Sequence, residues 1–205
     1  MKTLAFLSQK GGSGKTTLAV HTAVAAVEDG ERAVIVDTDI QHSATTWGDA
    51  REAESPVVVT VPAADLESVM AAARHDVMTL CIIDTAPHAA PDAARVARAA
   101  DLVVIPCRPT AFDVAAAGSA VEIVQAANAK AVFVLSACPF RSPEIAETRA
   151  VLEGYGIPVS PFEITDRRAF SRAVSTGRAV TEFESSGKAA EEIRNLWHWL
   201  KEQMK

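Results

Sequence analysis

The sequence predicts an α/β fold, a doubly wound and mainly parallel sheet with helices on both faces. Three observations carry this. Short apolar runs alternate with longer Ala-rich stretches, the order that successive strand–helix units produce. The apolar runs are continuous rather than interleaved with polar residues, as strands covered on both faces require. The first run leads directly into a glycine-rich segment and then a long Ala-rich stretch, a strand–turn–helix start.

Strands are expected, in order, at 3–7, 33–36, 57–61, 78–83, 102–105 and 131–135. Most of their side chains are β-branched or otherwise bulky and apolar, from Leu4-Ala5-Phe6 and Val34-Ile35-Val36 to Val132-Phe133-Val134. Helices are expected between and after them at 15–28, 43–53, 64–73, 91–99, 114–126 and 143–153. Ala favours helix there, and its small side chain permits close packing on a sheet. From about Asp166 onward the pattern changes to helices only, punctuated by Gly177 and Gly187. With no repeat and no low-complexity linker, residues 1–205 read as a single domain.

The 205 residues are 49% hydrophobic and 22% charged, an ordinary globular composition. The net charge of -6 argues against a basic nucleic-acid coat over the whole surface. It leaves room for a local patch. Cys81, Cys107 and Cys138 are odd in number and far apart, with no Cys-x-x-Cys spacing. They read as reduced core residues of a cytosolic protein. The apolar N-terminal run is too short for a signal peptide or a membrane span, so the expected location is the cytoplasm.

The strongest motif is Gln9-Lys10-Gly11-Gly12-Ser13-Gly14-Lys15-Thr16-Thr17. It sits between strand and helix, where a phosphate-binding loop belongs. Its glycines let backbone N–H groups fold around phosphate oxygens, and the helix N-terminus adds a favourable partial charge. Lys15 would reach the β- and γ-phosphates, the Thr16 hydroxyl would ligate Mg²⁺, and Thr17 would meet the α-phosphate. The general pattern has a glycine where Gln9 stands, and Lys10 is an extra cation.

Carboxylates follow at strand ends. Asp37 and Asp39 lie two residues apart and share one face of an extended chain. Asp84 closes the run Leu80-Cys81-Ile82-Ile83, the Walker B pattern, and would hold Mg²⁺ directly or through water. His88 reads as a solvated loop histidine. Pro106 and Pro109 are expected to stop the fifth strand and stiffen the loop after it. Asp113 is either the cap of the next helix or a contact to a second subunit.

Lys10-Gly11-Gly12-Ser13-Gly14-Lys15-Thr16-Thr17 resembles the deviant Walker A motif of the ParA/MinD superfamily of P-loop ATPases. Asp37-Thr38-Asp39-Ile40-Gln41 resembles its Asp-x-Asp-Pro-Gln segment, with Ile40 in place of Pro. The resemblance implies that Lys10 reaches the nucleotide of a partner subunit in an ATP-sandwiched homodimer. It implies that Asp39 orients or activates the attacking water, and that Asp37 supports the metal shell. Lys10, Lys15 and Asp39 are therefore the expected catalytic residues. Gly11, Gly12, Ser13, Gly14, Thr16 and Thr17 complete the nucleotide loop, and Thr16, Asp37, Asp39 and Asp84 the metal set. The segment from Asp84 to His88 resembles the family's second switch.

Three functional classes follow. Residues 164–193 resemble the small ParA (ParF-like) plasmid partition ATPases, which lack an N-terminal DNA-binding domain. The resemblance implies nonspecific DNA binding on the nucleoid and a ParB-like or cargo adaptor that stimulates slow hydrolysis. Arg167, Arg168, Arg172 and Arg178 fall within twelve positions and are the expected DNA contacts. The second class, a MinD-like membrane-associated ATPase, would use the stripe Ile193, Leu196, Trp197, Leu200 and Met204 as a membrane helix. Packing against the protein is the expectation, because Glu191, Glu192 and Glu202 dilute the basic face. A metabolic or iron–sulfur relative would need paired cysteines, which this chain lacks.

Overall fold

A computed structural model describes residues 1–87 and 90–205, so His88 lies outside the described residues. The strands are β1 (Lys2–Phe6), β2 (Ala33–Asp37), β3 (Val57–Thr60), β4 (Leu80–Asp84), β5 (Leu102–Cys107) and β6 (Ala131–Leu135). They form one sheet in the order β3-β2-β4-β1-β5-β6, and every pairing is parallel. The helices are α1 (Lys15–Glu28), α2 (Ser43–Asp49), α3 (Leu66–His75), α4 (Ala90–Ala99), α5 (Ala111–Ala126) and α6 (Glu144–Glu153). The tail adds α7 (Arg168–Val174), α8 (Val180–Phe183) and α9 (Lys188–Gln203). This is the doubly wound sheet that the continuous apolar runs predict.

Successive strand side chains separate into two cores. Leu4, Phe6, Leu80, Ile82, Leu102 and Val104 join a cluster with α1, α2 and the tail helices. Ala5, Leu7, Cys81, Ile83, Val103 and Ile105 join a second cluster with α3 to α6. Cys81, Cys107 and Cys138 are free, buried and all in the second cluster. Burial pushes each thiol up to about 12, so they are inert core residues.

Two element boundaries correct the sequence expectation. Helix α2 ends at Asp49 rather than near residue 53. There Arg51 folds back onto the Ser55 carbonyl and forms a two-pronged ion pair with Glu182. Strand β5 runs through Pro106 to Cys107 instead of stopping at residue 105. The reason is geometric. Residues 103, 105 and 107 point their backbone groups at β6, whereas Val104 and Pro106 point towards β1. The β1 pairing ends at Val104, so the N–H that Pro106 lacks would have had no ladder partner.

The tail is fastened to α1 and α2. The Trp47 indole N–H donates to the Arg178 carbonyl at 3.1 Å. The Val180 N–H donates to His21 Nδ1 at 3.1 Å, and the His21 ring meets Phe170 edge-on at 5.1 Å. Gly177 has φ +65°, and a Cβ there would stand 2.3 Å from the Ala50 carbonyl, so glycine alone fits. The apolar stripe of α9 is buried: Ile193, Leu196, Trp197, Leu200 and Met204 all belong to the α1 cluster.

Burial holds the His21 imidazole down from 6.5 to about 3. Above pH 6.5 neither folded nor unfolded chain is protonated here, and the full stability is present. As pH falls from 6.5 towards 3 the unfolded chain takes up a proton that the folded chain refuses, so stability is lost across that window. This residue alone removes about 3 kcal/mol between pH 6.5 and 4. His21→Asn keeps an acceptor for Val180 and should flatten that slope. Urea unfolding at a series of pH values measures it.

Candidate nucleotide site

Sheet order creates the site. β4 lies between β1 and β2, so Asp84 is in register with both Phe6 and Asp37. The loop after β1, the acids ending β2 and β4, and the loop after β5 therefore meet at one edge. That edge is the carboxyl end of a parallel sheet, where such folds bind ligands.

Between β1 and α1, Gly12 and Gly14 take φ +74° and +100°. The Ser136 hydroxyl donates to the Ser13 carbonyl at 2.7 Å and ties the loop to the end of β6. Gly14 caps α1 without a side chain, and no acid lies in the first turn. The first helical N–H groups thus stay available to an anion. They face a cavity of about 460 Å³ lined by the loop, Asp39, Gln41, Trp47, Arg108 and Val174.

The side-chain charges are mostly buried. Lys15 is only 6% exposed. Burial lowers its ammonium below the ordinary lysine range, and Asp84 and Asp39 pull it partly back. Its Nζ donates to the Lys10 carbonyl at 3.2 Å. Asp84 is fully buried, and neither carboxylate oxygen has a full hydrogen bond. Burial pushes its carboxyl up to about 7. The nearby Thr16 hydroxyl tempers that rise without reaching good geometry, Asp37 adds to it, and Lys15 opposes it.

The two acids after β2 do different work. Asp37 accepts the Asp39 N–H at 3.1 Å, and the Thr45 N–H and hydroxyl both at 2.9 Å. It shapes the loop and starts α2. Asp39 accepts only the Gln41 N–H, at 2.9 Å, and lines the cavity. The Thr38 N–H and hydroxyl both donate to the Asp84 carbonyl.

Asp113 does not cap α5. Thr110 does, its side chain accepting from the Asp113 N–H, while Asp113 pairs with Lys10. Sequence reasoning left Arg108 without a role. It stands between Pro106 and Pro109 at the boundary of the first cavity and a second one of about 530 Å³. Its place immediately after a strand end was the available signal. The second cavity is walled by Ile164, Phe170, Val174 and Arg168. Of the expected DNA contacts, Arg167 is held by Glu192 at 2.7 Å, whereas Arg168, Arg172 and Arg178 are exposed. The Arg172 guanidinium covers the Phe183 ring at 5.3 Å.

This sheet, with its glycine loop opening a helix over buried acids, defines a P-loop nucleotide-binding protein. Residues 4–180 match the CobQ/CobB/MinD/ParA nucleotide binding domain, and the chain belongs to that family. It is 27% identical to "Protein ParA" of Rhizobium radiobacter, over 95% of this chain and 92% of that one. It is 31% identical to the maintenance of carboxysome distribution protein A of Gloeobacter kilaueensis, over 99% and 94%. Among solved structures, apo McdA of Cyanothece superposes with a TM-score of 0.80 over 100% of both chains, at 17% identity.

Lys15→Ala removes the cation nearest the helix N-terminus, and nucleotide binding should fall at least a hundredfold in a fluorescent-ATP titration. Asp39→Ala should leave ATP affinity within about threefold and abolish phosphate release, since that carboxylate faces the cavity without supporting the loop through more than one bond. Both variants should keep the wild-type thermal midpoint within a few degrees.

Proposed function

We propose that this chain is a Mg²⁺-dependent ATPase that pairs with a second copy on ATP and then binds DNA without reading its sequence. In that state it partitions or positions a plasmid, a chromosome or another cargo. The observation that carries the reading is the buried Lys15 facing Asp39 and Asp84 at an uncapped helix N-terminus, with Lys10 on the same loop. Two lysines and a ring of free N–H groups suit a polyphosphate.

The donor set fits Mg²⁺. No ready-made cage of three or more His, Cys, Asp or Glu exists among the described residues, and Mg²⁺ does not need one. It keeps several waters and takes one or two carboxylates together with phosphate oxygens. Asp84 carries two buried oxygens without full partners, and the Thr16 hydroxyl is beside them. Asp39 is close enough in the cavity to hold an attacking water, while Asp37 keeps the loop in place. Bound there, the ion would offset charge on the transferring phosphoryl group. The second cavity, which shares Gly14, Thr17, Arg108 and Val174 with the first, has the apolar wall a nucleoside needs.

Arg168, Arg172 and Arg178 are exposed cations of the tail, and Arg167 contributes after leaving Glu192. Doubled in a dimer, they would bind phosphates without base contacts. Hydrolysis is slow until a ParB-like or cargo adaptor accelerates it, since a positional switch requires a long-lived bound state. The working location is the nucleoid. A membrane role finds no support in α9. Its apolar face is covered, Trp197 and Lys201 are tied to Asp29 at 3.0 and 2.7 Å, and no helix described is long and apolar enough to cross a membrane.

Co-sedimentation with plasmid DNA and with liposomes, each with ATP, ADP or no nucleotide, tests the reading. DNA retention only with ATP supports it, and liposome retention favours the membrane class. Changing Arg168 and Arg172 together to Glu should preserve ATP turnover and reduce DNA retention at least tenfold. Unchanged retention would move the DNA face elsewhere.

A further inference from the structure

Lys10 points into its own subunit. Its Nζ forms an ion pair with Asp113, which stands in the first turn of α5. The Asp113 side chain is 3% exposed and that of Lys10 is 35% exposed. The Thr110 hydroxyl donates to the same Asp113 oxygen at 2.5 Å. The other oxygen, Oδ1, is buried without a partner. Asp113 therefore depends on Lys10. If the lysine leaves, a buried carboxylate keeps only the Thr110 hydroxyl, a strongly unfavourable state.

A second observation marks the rim on which this pair sits. Phe112, adjacent to Asp113, is 81% exposed, and Ile40, adjacent to Asp39, is 80% exposed. They are the two most exposed large apolar side chains among the described residues. Ile40 flanks the phosphate cavity through Asp39 and Gln41, and Phe112 stands beside the Lys10–Asp113 pair. Lys10 stands next to Gly11, which lines that cavity, and its cation is turned inward onto Asp113.

We propose that Asp113 is the resting counter-ion of Lys10, and that two copies of this chain pair on this rim only when Lys10 exchanges that carboxylate for the partner's bound triphosphate. The inference rests on the dimer reading above. The exchange replaces one negative charge by several, which offsets the isolation of Asp113. A diphosphate offers less and shifts the balance back. Asp113 is in this sense a positioning residue: it touches no substrate and sets the nucleotide dependence of pairing through Lys10.

Asp113→Asn preserves the shape and the acceptor for Thr110 and removes the charge that holds Lys10. By sedimentation velocity with Mg²⁺ and ATP, its dimer dissociation constant should fall about tenfold, or ~1.4 kcal/mol. Dimer should also become detectable with ADP. Thr110→Val removes the hydroxyl that shares the Asp113 oxygen, leaves Lys10 more firmly held and should raise the dissociation constant. Lys10→Gln should prevent pairing in either background. A folded Asp113→Asn chain that pairs as wild type or more weakly overturns the proposal. Should that variant fail to fold, a Thr110→Val chain that pairs no more weakly than wild type overturns it. A wild-type chain that stays monomeric with ATP overturns the dimer reading itself, and the exchange with it.

Discussion

β4 lies between β1 and β2, and every chemical feature of this protein depends on that insertion. It brings Asp84 beside Asp37 and sets the phosphate loop on the far side of the same strand. β5 follows next in the sheet and delivers Arg108 and Asp113 to the other rim. Both faces of the sheet are buried, so polar groups can emerge only at the strand ends. A parallel sheet puts all of its carboxyl ends on one side. The site is concentrated there because no other part of the sheet can carry it.

The concentration has an electrostatic consequence. Asp84 is buried without full hydrogen bonds, and burial is the main reason its proton affinity rises. An orphaned carboxylate of this kind destabilises a fold unless a cation completes it. Among the described residues Lys15 is the cation that acts on it, and it is itself drawn down by burial. On the proposed reading, a metal ion and a polyphosphate complete that edge together. Gly12 and Gly14, at positive φ, let the backbone approach closely enough for that.

Much of this was legible in the residues. Continuous apolar runs gave the parallel sheet, and the spacing of Lys10 to Thr17 gave the loop, because both signals are local. Asp37 and Asp84 are 47 positions apart, and nothing local states that their strands touch. Their pairing comes from strand order, which tertiary packing decides. The same limit hid Arg108 and made Asp113 ambiguous, since its partner Lys10 lies 103 positions away. The tail is an intermediate case. α1 is apolar on nearly every side, so a helix over the sheet still needs a cover on its outer face. The stripe of α9 is that cover. Asp29, just past the end of α1, fixes the register by accepting from Trp197 and Lys201.

The net charge of -6 takes on a different meaning once it is divided along the fold. Residues 141–205 carry ten acidic and ten basic side chains, so the whole excess lies before them. Part of that excess is the carboxylate set at the strand ends, Asp37, Asp39 and Asp84. The arginine-bearing segment is neutral in sum, and it is clamped rather than appended. Trp47 of α2 and Arg51 just beyond that helix hold Arg178 and Gly177, and α1 holds Val180 through His21. These are the two helices that begin at the phosphate loop and at the Asp37–Asp39 loop. The exposed arginines consequently take their positions from the same elements that frame the nucleotide. A protein with a basic coat would bind DNA in every state. Here the exposed arginines are few and stand on a segment anchored to α1 and α2, so on the proposed reading a change at the nucleotide site would reach them through those two helices.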